Sequence, residues 1–101
     1  MSDDDRALLP FASDDDATSS AGRLIRRQWH GGRWFFSIVD VVAVLTESET
    51  PRRYWTDMKR RIKDEGFREV YAQCVQLKMR ALDGKSYATD AADVETMLRI
   101  V

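Results

Sequence analysis

Apolar and polar positions divide the chain from residue 23 onward into a few short elements. The segment LIRRQWHGGRWFF, residues 24–36, predicts a β-hairpin that turns at Gly31-Gly32, where glycine adopts positive φ without steric cost. Closing the hairpin there places Trp29 opposite Trp34. The aromatic run after the turn favours a strand and is expected to fill the core, because nothing nearby is as bulky.

The next segment, SIVDVVAVLT, is apolar on most sides and predicts a short, mostly buried helix. Ser37 and Asp40 form a capping-box pattern at its start, with Asp in place of the usual Glu. We expect this helix to end near Thr46. Its β-branched residues leave a strand as the alternative.

A second helix is predicted over residues 51–65, PRRYWTDMKRRIKDE. Thr50 is suited to cap it, Pro51 occupies the first helical position, and Gly66 ends it in the left-handed region. Its apolar residues share one arc and are expected to pack in the core: Tyr54, Trp55, Met58 and Ile62.

The last third of the chain predicts a hairpin and a helix. In CVQLKMRAL the residues Val75, Leu77, Met79 and Ala81 alternate with polar ones, as in a half-buried strand. Asp83-Gly84 forms the turn, and residues 86–89 return as the partner strand. Residues 90–101 suggest an amphipathic helix, capped by Thr89 or Asp90, with its apolar face formed by Val94, Met97, Leu98 and Val101.

These elements predict one small α+β domain with two β-hairpins and about three helices, in a winged-helix-like order. The expected domain covers residues 23–101, and residues 1–22 are expected to form a disordered acidic tail. The net charge of −1 hides this division, since residues 1–21 carry −5 and the remainder carries +4. The basic part is therefore the folded part.

Composition narrows the function classes. One cysteine and one histidine provide neither a disulfide nor the spacing of a metal site, so no cofactor is expected. There is no phosphate-binding glycine loop, nucleophile elbow or paired-carboxylate motif, so we do not expect an enzyme. His30 is expected at a surface turn and Cys74 in the core. The absence of a long apolar run and of a signal peptide favours a cytoplasmic protein without membrane contact.

Basic residues gather on one face of the helix over residues 51–65. At about 100° per residue, five of its six basic side chains fall within roughly one third of the circumference. We take these five as candidate DNA contacts: Arg52, Arg53, Lys59, Arg60 and Lys63. The face follows a short helix and a tight turn, which is the order of a helix-turn-helix motif. An ordinary solvent-exposed face remains the alternative.

The hairpin over residues 75–89 adds three basic candidates on its outer face and tip. They are Lys78, Arg80 and Lys85. A basic hairpin after a recognition helix is the layout of a winged helix, although a plain solvent-exposed strand would show the same pattern.

Three segments in this order resemble the N-terminal domain of the BRO family, found in phage antirepressors and large DNA virus proteins. They are WHGGRWFFSIVDVVAVLTES, PRRYWTDMKRRIKDEG and QLKM followed by DGKSYATDAADVETMLRIV. The resemblance spans residues 24–101 and implies a small α+β domain with nucleic-acid binding. Family members usually continue into a second domain, so we expect either an isolated N-terminal module or a short relative.

We therefore predict a DNA-binding module of a phage or mobile-element transcription regulator or antirepressor. Neutralising about four phosphates would give a log–log salt slope near −3.5. A single module of this size should bind weakly, which favours a homodimer or a second domain. The alternative is an antirepressor that binds a repressor or host protein, and a weaker one is a single-strand or RNA binder. We also hypothesise that the acidic tail competes with DNA for the basic helix.

Overall fold

Strands and helices alternate irregularly along the chain. The structure is a computed structural model that describes residues 17–20 and 23–100. In chain order the elements are β1 Ala17–Ser20, β2 Arg23–His30, β3 Arg33–Ser37, α1 Ile38–Thr46, α2 Pro51–Asp64, α3 Arg68–Ala72, β4 Val75–Arg80, β5 Ser86–Asp93 and α4 Val94–Ile100. The predicted α+β class is confirmed.

Four strands form an antiparallel sheet in the order β2-β3-β5-β4, and β1 pairs with the first half of β2. The sheet curls, so that its two outer strands approach each other. Across this gap the guanidinium Nη1 of Arg26 donates a hydrogen bond to the backbone oxygen of Arg80 at 3.2 Å.

The first predicted hairpin is confirmed in both its turn and its register. Gly31 and Gly32 adopt φ values of 58° and 87°, which fit a tight two-residue turn. Trp29 pairs with Trp34 as expected. The two indole rings lie edge to face with centroids 5.4 Å apart.

The segment after β3 is a helix, so the strand alternative for α1 is wrong. The Ser37 hydroxyl accepts a hydrogen bond from the Asp40 N–H at 3.3 Å and caps the helix as predicted. The Asp40 carboxylate serves another purpose. It accepts bonds from the Arg26 backbone N–H, Nε and Nη2 at 2.9, 2.7 and 3.1 Å. This charge-assisted, bidentate contact fastens α1 to β2.

Helix α2 ends as the sequence predicts. Gly66 has φ 86°, its N–H bonds to the Lys63 carbonyl, and the Phe67 N–H bonds to the Ile62 carbonyl. These are the two hydrogen bonds of a Schellman motif. At the other end Pro51 is the first residue, but the Thr50 side chain makes no capping bond, so that prediction is wrong.

Buried side chains form two clusters on opposite faces of the sheet, because neighbouring strand residues point to opposite sides. On one face the helices cover a cluster of Ile38, Val42, Trp55, Ala92 and Met97. On the other face a smaller cluster contains Phe35, Leu77, Met79 and Ala91. The predicted inward alternation of β4 is confirmed.

A C-terminal helix is present as predicted, but its predicted start is wrong. Of its predicted apolar face, Met97 is buried, Val94 and Leu98 are not, and Val101 lies outside the described residues. Residues 90–93 continue β5, and the Asp93 carboxylate accepts a bond from the Thr96 N–H at 2.8 Å, so Asp93 occupies the capping position given to Thr89 or Asp90. Pairing of β5 with β3 overrides the helical pattern there. The shift rotates the buried face of α4 onto Thr96 and Met97 and leaves Val94 and Leu98 exposed.

The predicted disordered tail is wrong for residues 17–20, which form a strand. Ala17–Ser20 pair with residues 23–26 as β1, so the disordered tail does not extend over them. A sheet edge supplies backbone partners that local composition does not reveal. The remainder of the predicted tail, residues 1–16, 21 and 22, lies outside the described residues.

Candidate nucleic-acid interface

The exposed face of α2 carries three of the five predicted basic residues. Arg52, Arg53 and Arg60 are exposed, and none of them forms an ion pair within residues 17–20 and 23–100. Their charges are therefore available to a ligand. Asp57 and Asp64, which lie on the same helix, also make no ion pair in that part of the chain.

The two lysines of the predicted face are bound to the protein instead. Lys59 Nζ lies 3.2 Å from the Asp90 carboxylate and 5.9 Å from the centre of the Trp55 ring. Lys63 Nζ lies 4.4 Å above the ring of Tyr71. Both residues border the buried stripe of α2, so their ammonium groups reach acceptors on neighbouring elements.

The second hairpin presents the other three predicted residues. Lys78, Arg80 and Lys85 are exposed, and the first two alternate along β4 with the buried Leu77 and Met79. The side chains of Lys78 and Arg80 therefore lie on the sheet face opposite the smaller cluster.

Asp90 joins α2 to this hairpin. Its carboxylate accepts hydrogen bonds from Trp55 Nε1 at 2.8 Å and from Lys59 Nζ at 3.2 Å, both on α2. It also accepts a bond from Gln76 Nε2 of β4 at 3.1 Å. Lys78 and Arg80 follow Gln76 on the same face of β4, so they lie on the side of the hairpin that faces α2.

Acidification tests how much the Asp90 contact between α2 and the hairpin stabilises the fold. Burial raises the pKa of Asp90, but hydrogen bonds from Trp55, Gln76 and Lys59 outweigh it and leave the pKa below its usual value. A lowered pKa in the folded state stabilises the fold above about pH 4, and this contribution disappears as the pH falls through the folded pKa. The urea midpoint of Asp90→Asn should therefore fall less than that of the wild type between pH 6 and pH 3. Parallel curves for the two proteins would contradict this role for Asp90.

Sequence reasoning missed Asp90, which was placed at the start of a helix. A strand prediction that continued to Asp93 would have found it. Asp90 and Ala92 are two residues apart in such a strand, so both side chains point to the sheet face covered by α2. Tyr54 was expected in the core but is exposed, whereas Trp55 is only 3% exposed as predicted. One residue along a helix is enough to leave the buried stripe.

Cys74 and His30, the two side chains considered for catalysis or metal binding, both pack against the rest of the fold. Burial, with the negative charges of Asp90 and Asp93, raises the pKa of the Cys74 thiol to about 11, so the thiol stays protonated at neutral pH. His30 is exposed, and its ring packs edge to face on Phe35 with centroids 5.4 Å apart. The described residues contain no cluster of three or more potential metal ligands.

A separate apolar surface lies near the first hairpin. Trp29 is 58% exposed, and on α4 Val94 and Leu98 are 55% and 73% exposed. Asp93 pairs with Phe35, so Val94 follows at the level of Trp34, which contacts Trp29. Arg27 lies 4.3 Å from the centre of the Trp34 ring. We name Trp29, Trp34, Val94 and Leu98 the tryptophan surface.

Compared with known proteins, the chain matches no family model, no curated protein and no solved structure. In the part of the chain that the structure describes, none of the helices is long and apolar enough to cross a membrane.

Proposed function

We propose that this domain binds double-stranded DNA through α2 and the hairpin β4–β5. The observation that carries the proposal is a set of six exposed basic side chains on two elements that Asp90 links. They are Arg52, Arg53, Arg60, Lys78, Arg80 and Lys85. A ligand that matches them must be strongly and repetitively negative, as a phosphate backbone is.

Helix α2 is the element that enters the major groove in this proposal. It follows α1 across a four-residue turn and packs against it, as the recognition helix of a helix-turn-helix does. Its exposed basic residues are all arginines, and a guanidinium pairs bidentately with phosphate or with guanine O6 and N7. Lys59 and Lys63 support the helix rather than contact DNA.

The resemblance to the BRO N-terminal domain supports a role in transcriptional control of a phage or mobile element. We propose that the module acts as a regulator or antirepressor. One module with about six phosphate contacts binds weakly at physiological salt, so a homodimer or a second domain would supply the remaining affinity.

A salt series with a duplex of random sequence tests DNA binding. We expect the anisotropy of a labelled 20-base-pair duplex to rise on titration, with a log–log salt slope between about −3.5 and −5.5, as about four to six phosphate contacts give. An unlabelled duplex should compete better than a single strand of equal length. Failure to bind at low salt would overturn the proposal.

The tryptophan surface favours a second candidate function, binding of a repressor or host protein. Its exposed apolar residues on β2 and α4 are of the kind that partner proteins cover. This surface uses neither α2 nor the second hairpin. Both functions are therefore compatible in one regulator, and the duplex titration decides the first.

A further inference from the structure

Leu82 lies at the tip of the hairpin β4–β5 with its side chain entirely in solvent. It is 109% exposed, more than any other large apolar residue described, and Leu98 follows at 73%. Exposure this complete leaves the side chain without apolar contacts in the domain. The residue therefore contributes no packing to the fold.

Turn geometry does not explain a leucine at this position. The Gly84 N–H bonds to the Ala81 carbonyl at 3.0 Å, and the Ala81 N–H bonds to the Lys85 carbonyl at 2.8 Å. Gly84 has φ 85°, as the last residue of a three-residue hairpin loop does. Leu82 is the first central residue of this turn, a position that accepts most residue types.

The surroundings of Leu82 are basic. Lys78, Arg80 and Lys85 are exposed on both sides of the tip. Asp83 has the one carboxylate among residues 81–85 of the tip, and it is turned back into the hairpin, where it accepts bonds from the Lys85 N–H and the Tyr87 hydroxyl. Three cations around a bare apolar tip favour a polyanionic ligand with an apolar interior, as stacked DNA has.

We propose that Leu82 is a wedge that the hairpin inserts between two stacked base pairs from the minor groove. The side chain then gains the apolar burial that the fold does not provide, while the three cations contact phosphates on either side. Apolar wedges of this kind unstack one base step and kink the duplex. This inference rests on the proposed function and adds DNA distortion to it.

The length of the hairpin fits this role. From Gln76, which Asp90 fixes against α2, β4 advances four residues to Arg80, about 13 Å, and the turn then carries Leu82 beyond the end of the strand. The minor groove is about 7.5 Å deep, so the tip can pass the phosphates while α2 occupies a neighbouring major groove.

Base unstacking provides the test. The test uses a duplex with 2-aminopurine in place of adenine at its pyrimidine–purine steps, which unstack most easily. A fluorescent donor and acceptor at the two ends of the duplex report bending through energy transfer. We expect saturating wild-type protein to raise 2-aminopurine fluorescence several-fold and to increase energy transfer. Leu82→Ala should lose both changes, yet bind with less than about tenfold weaker affinity because its phosphate contacts remain.

Leu98→Ala is the matched control, because it removes an exposed leucine on another surface. It should behave as the wild type does in both signals. The inference is overturned if the wild type binds without unstacking or bending, or if Leu82→Ala distorts the duplex as the wild type does. If the wild type does not bind the duplex at all, the proposed function fails and the wedge fails with it.

Discussion

Replacing Arg52, Arg53 and Arg60 with alanine is expected to weaken duplex binding by about 100-fold at low salt. These side chains are exposed and have no ion-pair partner within residues 17–20 and 23–100, so their removal should not unfold the domain. Each lost phosphate contact also removes about 0.9 from the salt slope, so the slope should shift by about 2.7. Anisotropy titrations at several salt concentrations measure both effects.

The control for this variant removes the same charge elsewhere. Arg61, Arg68 and Arg99 are exposed; Arg68 and Arg99 lie on α3 and α4, and Arg61 lies about 80–100° around α2 from Arg53 and Arg60. Changing these three to alanine should cost less than about tenfold in affinity, since only the long-range field weakens. Equal losses in the two triple variants would mean that net charge, rather than α2, determines binding.

Trp55→Ala is expected to destabilise the domain by about 3–5 kcal/mol. Trp55 is almost fully buried in the larger cluster, and its indole N–H donates to Asp90, so the change creates a cavity and removes part of the α2–hairpin joint. Domains of this size have a total stability of about 5–15 kcal/mol, so this loss is a large fraction of the total. Urea denaturation followed by circular dichroism measures the loss.

Trp29→Ala makes the same chemical change at an exposed position. Trp29 contacts Trp34 edge to face, so we expect a loss of no more than about 1.5 kcal/mol. A second variant, Trp55→Phe, keeps most of the apolar volume and should fall between the other two. A loss below about 1 kcal/mol for Trp55→Ala would show that Trp55 is not central to the core.

Local patterns predicted the elements whose geometry is determined by neighbouring residues. Gly31-Gly32 indicated both a turn and a register, because a two-residue turn leaves one pairing. Pro51 and Gly66 marked the ends of α2 for similar reasons. Alternation along β4 identified which residues face inward.

Tertiary contacts determined what the sequence patterns missed. Residues 90–93 fit a helical pattern, but pairing with β3 extends them as strand and moves the helix start to Val94. The basic face of α2 was predicted from spacing alone, which does not reveal that Asp90 and Tyr71 lie within reach of Lys59 and Lys63. The sequence therefore identified the elements that carry the candidate site. Only the structure shows which of its basic side chains make no ion pair or ring contact among the described residues.

Amide chemical shifts of the 101-residue chain, followed during titration with a short duplex, locate the surface that contacts DNA. We expect the perturbed amides to cluster in residues 52–60 of α2 and residues 78–86 of the second hairpin. Amides of the tryptophan surface should shift little. Perturbation centred on Trp29, Val94 and Leu98, with α2 unchanged, would contradict DNA binding through α2 and assign the ligand to the tryptophan surface.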